Sequence, residues 1–104
     1  MRGDIYRLKA NPHAIGHEQR GQRYAVVVQS DYLPLSTTLV APTTSKSFAA
    51  SFHPEIDMNG TTIRVLVEQT TAVAETRLGD FAGRLSAHEM AEVDLALRNV
   101  LGLF

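Results

Sequence analysis

The sequence contains no cysteine and no tryptophan, only four prolines, and no apolar run longer than the five residues Tyr24-Ala25-Val26-Val27-Val28. Without cysteine, neither a disulfide framework nor a thiolate metal site is possible, which fits a reducing compartment. A five-residue apolar run is far short of the ~20 residues a membrane-spanning helix needs. The opening Met1-Arg2-Gly3-Asp4-Ile5-Tyr6 has no apolar core of the kind a secretory leader carries. The expectation is therefore a cytoplasmic protein with no membrane partner. Positive charge is also scarce: ten cations against eleven anions leave a net charge of −1. That argues against a protein held to nucleic acid by a broad positive field.

The charge that is present is unevenly placed. Residues 1–53 carry six cations (Arg2, Arg7, Lys9, Arg20, Arg23, Lys46) against three anions, and residues 54–104 carry four against eight. A polyanion would prefer the first half and a basic partner the second, although asymmetry of this size also arises on an ordinary solvated surface. With 104 residues and 44% hydrophobic content, the expectation is one globular domain spanning residues 1–104.

Short β-strands dominate the pattern. Residues Arg2 to Lys9 alternate and read as a first strand. Asn11-Pro12, Gly16 and Gly21 then impose a loop. Tyr24 to Gln29 is β-branched and nearly all apolar, as expected of a central strand buried on both faces. After a turn at Asp31-Tyr32-Leu33-Pro34, the next strand is Thr37 to Ala41, expected to stop at Pro42, with a polar loop over Thr43-Thr44-Ser45-Lys46-Ser47. Asn59-Gly60 is a tight-turn pair ahead of a strand over Ile63 to Val67, and one more short strand is expected near Gly83-Arg84-Leu85. Ser86-Ala87-His88-Glu89 is a capping box, and Met90, Val93, Leu97, Val100 and Leu101 follow at helical spacing as a core stripe. Many short strands and one terminal helix imply a mostly-β fold with a strongly bent antiparallel sheet or partial barrel.

Two polar stretches can carry chemistry. Gly16-His17-Glu18-Gln19-Arg20-Gly21-Gln22-Arg23 stands immediately before the most hydrophobic strand, where side chains sit at the rim of a rigid sheet. Glu18 is a candidate general base. The planar fork of Arg23 suits a phosphate and the charge that builds on a pentacoordinate phosphorus, and Arg20 adds a second cation. Surface ion pairs among the same residues are the competing reading. Thr43-Thr44-Ser45-Lys46 offers hydroxyls and an ammonium for phosphate oxygens, or an ordinary loop of turn-favouring residues. His13 and His17 lie four apart, but Pro12 and Gly16 disfavour the helix that would aim both at a metal, so no metal or other cofactor is expected. His17 remains a second candidate base. His53 and His88 read as structural or solvated.

Taken in order, these residues resemble the MazF/PemK (Kid) toxin endoribonucleases of bacterial toxin–antitoxin systems. The resemblance runs through Arg2-Gly3-Asp4-Ile5-Tyr6, the pattern Gly16-x-Glu18-Gln19-x-Gly21-x-Arg23 with its hydrophobic strand, Ala41-Pro42-Thr43-Thr44-Ser45-Lys46, Val65-Leu66-Val67-Glu68-Gln69, and Gly83-Arg84-Leu85-Ser86 with the last helix. It implies a compact SH3-like partial barrel, a homodimer, an antitoxin protein as partner, and metal-independent cleavage of single-stranded RNA. In that chemistry the ribose 2′-hydroxyl attacks phosphorus, leaving a 2′,3′-cyclic phosphate and a 5′-hydroxyl. By position, the resemblance implies catalytic roles for Arg23, Thr44 and Glu18. It implies RNA contacts at His17, Gln19, Arg20, Tyr24, Thr43, Ser45, Lys46 and Gln69.

Three positions depart from the family pattern: Tyr24 replaces the usual proline, His17 a serine, and Thr71 a frequent basic residue. Two other functions suit the same fold class. CcdB-like gyrase poisons share it but end in a tryptophan-glycine segment, whereas this chain ends Leu101-Gly102-Leu103-Phe104. A non-catalytic RNA-binding barrel is the other.

Overall fold

The computed structural model describes residues 1–9, 23–46 and 49–103. They form seven antiparallel strands and one helix. The strands are β1 (Asp4–Leu8), β2 (Arg23–Val27), β3 (Thr37–Thr44), β4 (Glu55–Met58), β5 (Thr61–Val65), β6 (Thr71–Ala74) and β7 (Leu78–Arg84), and the helix is α1 (Ala87–Leu101). Short 3-10 turns precede β6 at Val67–Gln69 and β7 at Glu75–Arg77. The strand order is β4-β5-β3-β2-β1-β7, with β6 also paired to β3. No helix is long and apolar enough to cross a membrane among the described residues.

Strand β2 is central, as its sequence predicts. Ala25, Val26 and Val27 are all at most 1% exposed, so both faces of the sheet are covered there. One face carries Ile5, Val26, Ala41, Ile63 and Val65 and packs against Val93 and Ala96 of α1. The opposite face carries Ala25, Val27, Val40 and Val73, with Tyr6, Leu8 and Leu78 at its border. The sheet bends around β3, whose first half pairs with β6 (Val40 opposite Thr71) and whose last two residues pair with β5 (Thr43 opposite Val65).

Pro42 does not end β3, contrary to the sequence-based expectation, and Thr43 and Thr44 are strand rather than loop. Pro42 falls between the stretch paired with β6 and the stretch paired with β5, where its missing N–H leaves no ladder bond unmade. Its carbonyl still accepts a hydrogen bond from the Leu66 amide at 2.8 Å. Strand β6 was not anticipated, β5 ends at Val65 rather than Val67, and β7 is seven residues long rather than a short piece near Gly83.

Asn59-Gly60 makes the expected reversal, with φ of 55° and 87° at its two residues. The capping box at the start of α1 is also as read: the Ser86 hydroxyl accepts from the Glu89 amide, and the Glu89 carboxylate accepts from the Ser86 amide. That carboxylate also accepts from the Asp57 amide at 2.7 Å, which ties the helix start to β4. The helical stripe needs correction. Val93 and Ala96 are buried and Met90 and Leu97 pack against the core, but Val100 is 39% and Leu101 63% exposed. The last turn of α1 carries these two residues without burying them.

Candidate active site

Arg23 opens β2, opposite Leu8 of β1. Between β2 and β3 the register pairs Ala25 with Pro42, Val26 with Ala41 and Val27 with Val40. Continued by two residues, the same register sets Tyr24 opposite Thr43 and Arg23 opposite Thr44. The Thr43 hydroxyl secures this end of the pairing by donating to the Tyr24 carbonyl at 2.9 Å.

Side chains alternate across a sheet, so Arg23 and Thr44 share one face, and Tyr24 and Thr43 share the other. Tyr24 packs against the core that lies under α1, and Thr43 is 7% exposed with its hydroxyl committed to the backbone. Arg23 and Thr44 are half-buried, on the face of the sheet that also carries the smaller apolar cluster. Burial pulls the Arg23 guanidinium below the usual arginine value. Among the described residues no carboxylate lies in ion-pair contact with it. A desolvated cation attracts an anion strongly.

The Thr44 hydroxyl accepts from the Lys46 amide at 3.2 Å, which fixes the oxygen and leaves its proton free to be donated. Ser45 and Lys46 follow on an exposed bend directly after Thr44. Gln69 lies exposed at the end of the 3-10 turn beyond β5. His17, Glu18, Gln19 and Arg20 lie outside the described residues.

One charged residue near this site escaped the sequence reading. Arg64 on β5 is the direct cross-strand partner of Thr44. Its Nη1 donates to the His53 carbonyl at 2.9 Å and its Nη2 to the Glu55 carboxylate. His53 is 2% exposed and its Nε2 lies 2.8 Å from Glu68 Oε2, so the carbonyl that holds Arg64 belongs to a buried, pinned segment. The Asn59-Gly60 turn was the available signal. A two-residue hairpin loop dictates the pairing of Glu55 with Arg64, which is the register observed.

Comparison with known proteins identifies the family and the fold. Residues 1–101 match the family model of the PemK-like, MazF-like toxins of type II toxin–antitoxin systems. The chain is 38% identical over 104 residues to a candidate toxin of Mycobacterium tuberculosis, Rv3098A, covering 99% of this chain and 98% of that one. It is 34% identical over 116 residues to the endoribonuclease MazF9 of the same organism, covering 99% and 97%. Among solved structures it resembles a mycobacterial endoribonuclease in complex with its cognate antitoxin, with a TM-score of 0.83 at 19% identity, covering 100% of this chain and 96% of that one. The curled antiparallel sheet with one C-terminal helix is thus the MazF-like fold, and the chain belongs to the PemK-like, MazF-like toxin family of type II toxin–antitoxin systems.

Proposed function

We propose that this chain is a metal-independent, sequence-specific endoribonuclease that cuts single-stranded RNA, and that Arg23 and Thr44 hold the scissile phosphate. The observation that carries the reading is a half-buried arginine with no ion-pair partner among the described residues, set by the continued β2–β3 register beside a hydroxyl that can still donate, on one face of the sheet.

The chemistry follows from those two groups. Attack of the ribose 2′-oxygen on the adjacent phosphorus forms a pentacoordinate centre with excess negative charge on its equatorial oxygens. Arg23, with its fork geometry, meets two of those oxygens, and Thr44 donates to a third position. The P–O5′ bond then breaks, leaving a 2′,3′-cyclic phosphate on one fragment and a 5′-hydroxyl on the other. One base must take the 2′ proton, and the leaving 5′-oxygen must receive one. Glu18 and His17 are the candidate bases. The lowered proton affinity of Arg23 favours donation, but arginine stays charged at neutral pH, so its principal role is electrostatic.

Ser45, Lys46 and Gln69, together with His17, Gln19 and Arg20, are proposed to line the RNA path; the RNA contacts expected at Tyr24 and Thr43 are not kept, because both side chains lie on the face opposite Arg23 and Thr44. Ser45 and Lys46 reach it directly from the end of β3. Thr43 acts through its bond to the Tyr24 carbonyl, keeping Arg23 and Thr44 in register. A homodimer, an antitoxin protein as inhibitor, a single domain and a cytoplasmic location complete the proposal.

The test is incubation of the purified protein with long single-stranded RNA in EDTA. Discrete fragments ending in cyclic phosphate and 5′-hydroxyl are expected, and sequencing their 5′ ends reads the cleavage site. Intact RNA, or cutting that appears only on adding metal, would sink the reading.

A further inference from the structure

The row that joins Arg23 to Thr44 does not stop at β3. Thr44 is paired with Arg64 on β5, and Arg64 with Glu55 on β4; continuing the β2–β3 register two residues past Ala25 and Pro42 brings Arg23 into the same line across four neighbouring strands. We propose that Arg64 is a second phosphate-contacting residue, one strand beyond Thr44, and that Glu55 aims it in the free protein and is displaced from it by RNA. The proposal rests on the ribonuclease reading above.

Ile63 and Val65 point into the core beneath α1, so Arg64 between them points to the opposite side, the side of Thr44 and Arg23. Neighbouring strands are ~4.8 Å apart, which puts the two arginine backbones at roughly equal distances on either side of Thr44. A single strand of RNA crossing the sheet edge along this row therefore meets a cation, a hydroxyl and a second cation in succession.

Arg64 is not a loose surface side chain. One N–H donates to the carbonyl of buried His53, whose ring is in turn held by Glu68, and another donates to Glu55. Two of its five N–H donors are used in these bonds, so the guanidinium is oriented before any ligand arrives.

The Glu55 side chain is 56% exposed and Arg64 21%. A solvent-facing carboxylate is a weak partner because water screens it, and a phosphodiester bound at the neighbouring Thr44 can replace it. The buried carbonyl contact persists meanwhile and keeps the arginine in place. A pair that served folding alone would need neither the alignment with Thr44 nor the exposed carboxylate.

The two roles predict opposite effects for one substitution. Binding of a short, mixed-sequence 2′-O-methyl RNA, which lacks the attacking hydroxyl, is to be measured over a series of salt concentrations. Arg64→Gln is expected to weaken binding about threefold to tenfold and to lower the salt slope by about 0.7. Arg64→Lys should recover the slope but only part of the affinity. Glu55→Gln, isosteric at an exposed site, should tighten binding about twofold to fivefold because Arg64 no longer has a competing anion. Unchanged affinity and slope in Arg64→Gln, or weakening by Glu55→Gln, would overturn the proposal. If Arg64→Gln does not fold, the response of Glu55→Gln decides alone. Cleavage of natural RNA by the wild type and by Arg23→Ala is run in parallel. Arg23-dependent cleavage with no response at Arg64 or Glu55 refutes this assignment and leaves the nuclease reading standing. A wild type that neither binds nor cleaves refutes both.

Discussion

The hydroxyl of Thr43 donates to the carbonyl of Tyr24 at 2.9 Å, and this bond clamps β3 to β2 just beyond the last paired residues, Ala25 and Pro42, where the continued register sets Arg23 opposite Thr44. Two adjacent threonines thus lie on opposite faces, Thr43 with its hydroxyl bound to the backbone and Thr44 on the face proposed to meet the phosphate. Thr43→Val should cost about 0.5–1.5 kcal/mol through the lost hydrogen bond. Thr44→Val should leave the melting temperature nearly unchanged and lower the cleavage rate about tenfold to a hundredfold. Thermal melts paired with single-turnover cleavage check both. Equal effects of the two variants on stability would contradict this division.

Arg23 should be intolerant even of lysine. The argument for it is a planar fork against phosphate oxygens at a half-buried site, and lysine offers only a point charge. Arg23→Ala is expected to lower the cleavage rate by about 10²–10³ and Arg23→Lys to restore only part of that, with both variants folded. Near-complete rescue by lysine would mean that charge alone suffices and that the fork is not used.

Much of this was legible in the chain before folding, and the failures have physical causes. The central strand, the Asn59-Gly60 turn and the Ser86/Glu89 capping box are local patterns, and each holds. Pro42 misled because the penalty for proline in a strand depends on whether a neighbour needs its N–H, and pairing across β3 changes partner at that residue. Strand β6, Thr71-Ala72-Val73-Ala74, has only Val73 buried and too little apolar contrast to stand out. Arg23 and Thr44 were recognisable as residue types, but their adjacency depends on a pairing between β2 and β3, separated in sequence, and Arg64 joins them only through β5.

The helix shows the same limit of local patterning. Val93 and Leu101 belong to one periodic stripe, yet Val93 is 0% and Leu101 63% exposed, so periodicity alone does not say how far along the helix the core reaches. Val93→Ala should destabilise the protein by about 1.5–3 kcal/mol. Leu101→Ser should change the stability of the isolated protomer by no more than about 0.5 kcal/mol. Chemical denaturation at low protein concentration separates the two cases. A large loss for Leu101→Ser there would show that the last turn is packed after all.

Gly60 allows a clean test of backbone conformation. Its φ is +87°, and a Cβ added there would meet nothing within 4 Å, so Gly60→Ala changes no packing. The expected cost is the left-handed penalty alone, about 1–2 kcal/mol, read as a shift in denaturation midpoint. A neutral result would mean that the turn readily adopts another geometry. Because this hairpin sets Glu55 opposite Arg64, the same variant should also reduce RNA binding if the turn shifts register.

Acid should unfold this protein through identifiable carboxylates. Burial disfavours ionisation of Asp4, but the hydrogen bond from Arg84 and the N-terminal ammonium outweigh it and hold its carboxyl below the ordinary value. Glu89 is likewise held low: burial opposes ionisation, and the amides of Ser86 and Asp57 outweigh it. A carboxylate with a depressed folded-state pKa binds its proton more readily in the unfolded chain. Its contribution is therefore complete above the unfolded value, about 4, and is lost as pH falls through the folded value. The melting temperature should be steady near neutrality and fall steeply below about pH 4. Asp4→Asn and Glu89→Ala should each be less stable than wild type at pH 7 and converge towards it near pH 2, when the wild-type carboxylates are protonated as well. Parallel stability curves with a constant gap across that range would show that neither carboxylate acts through its charge.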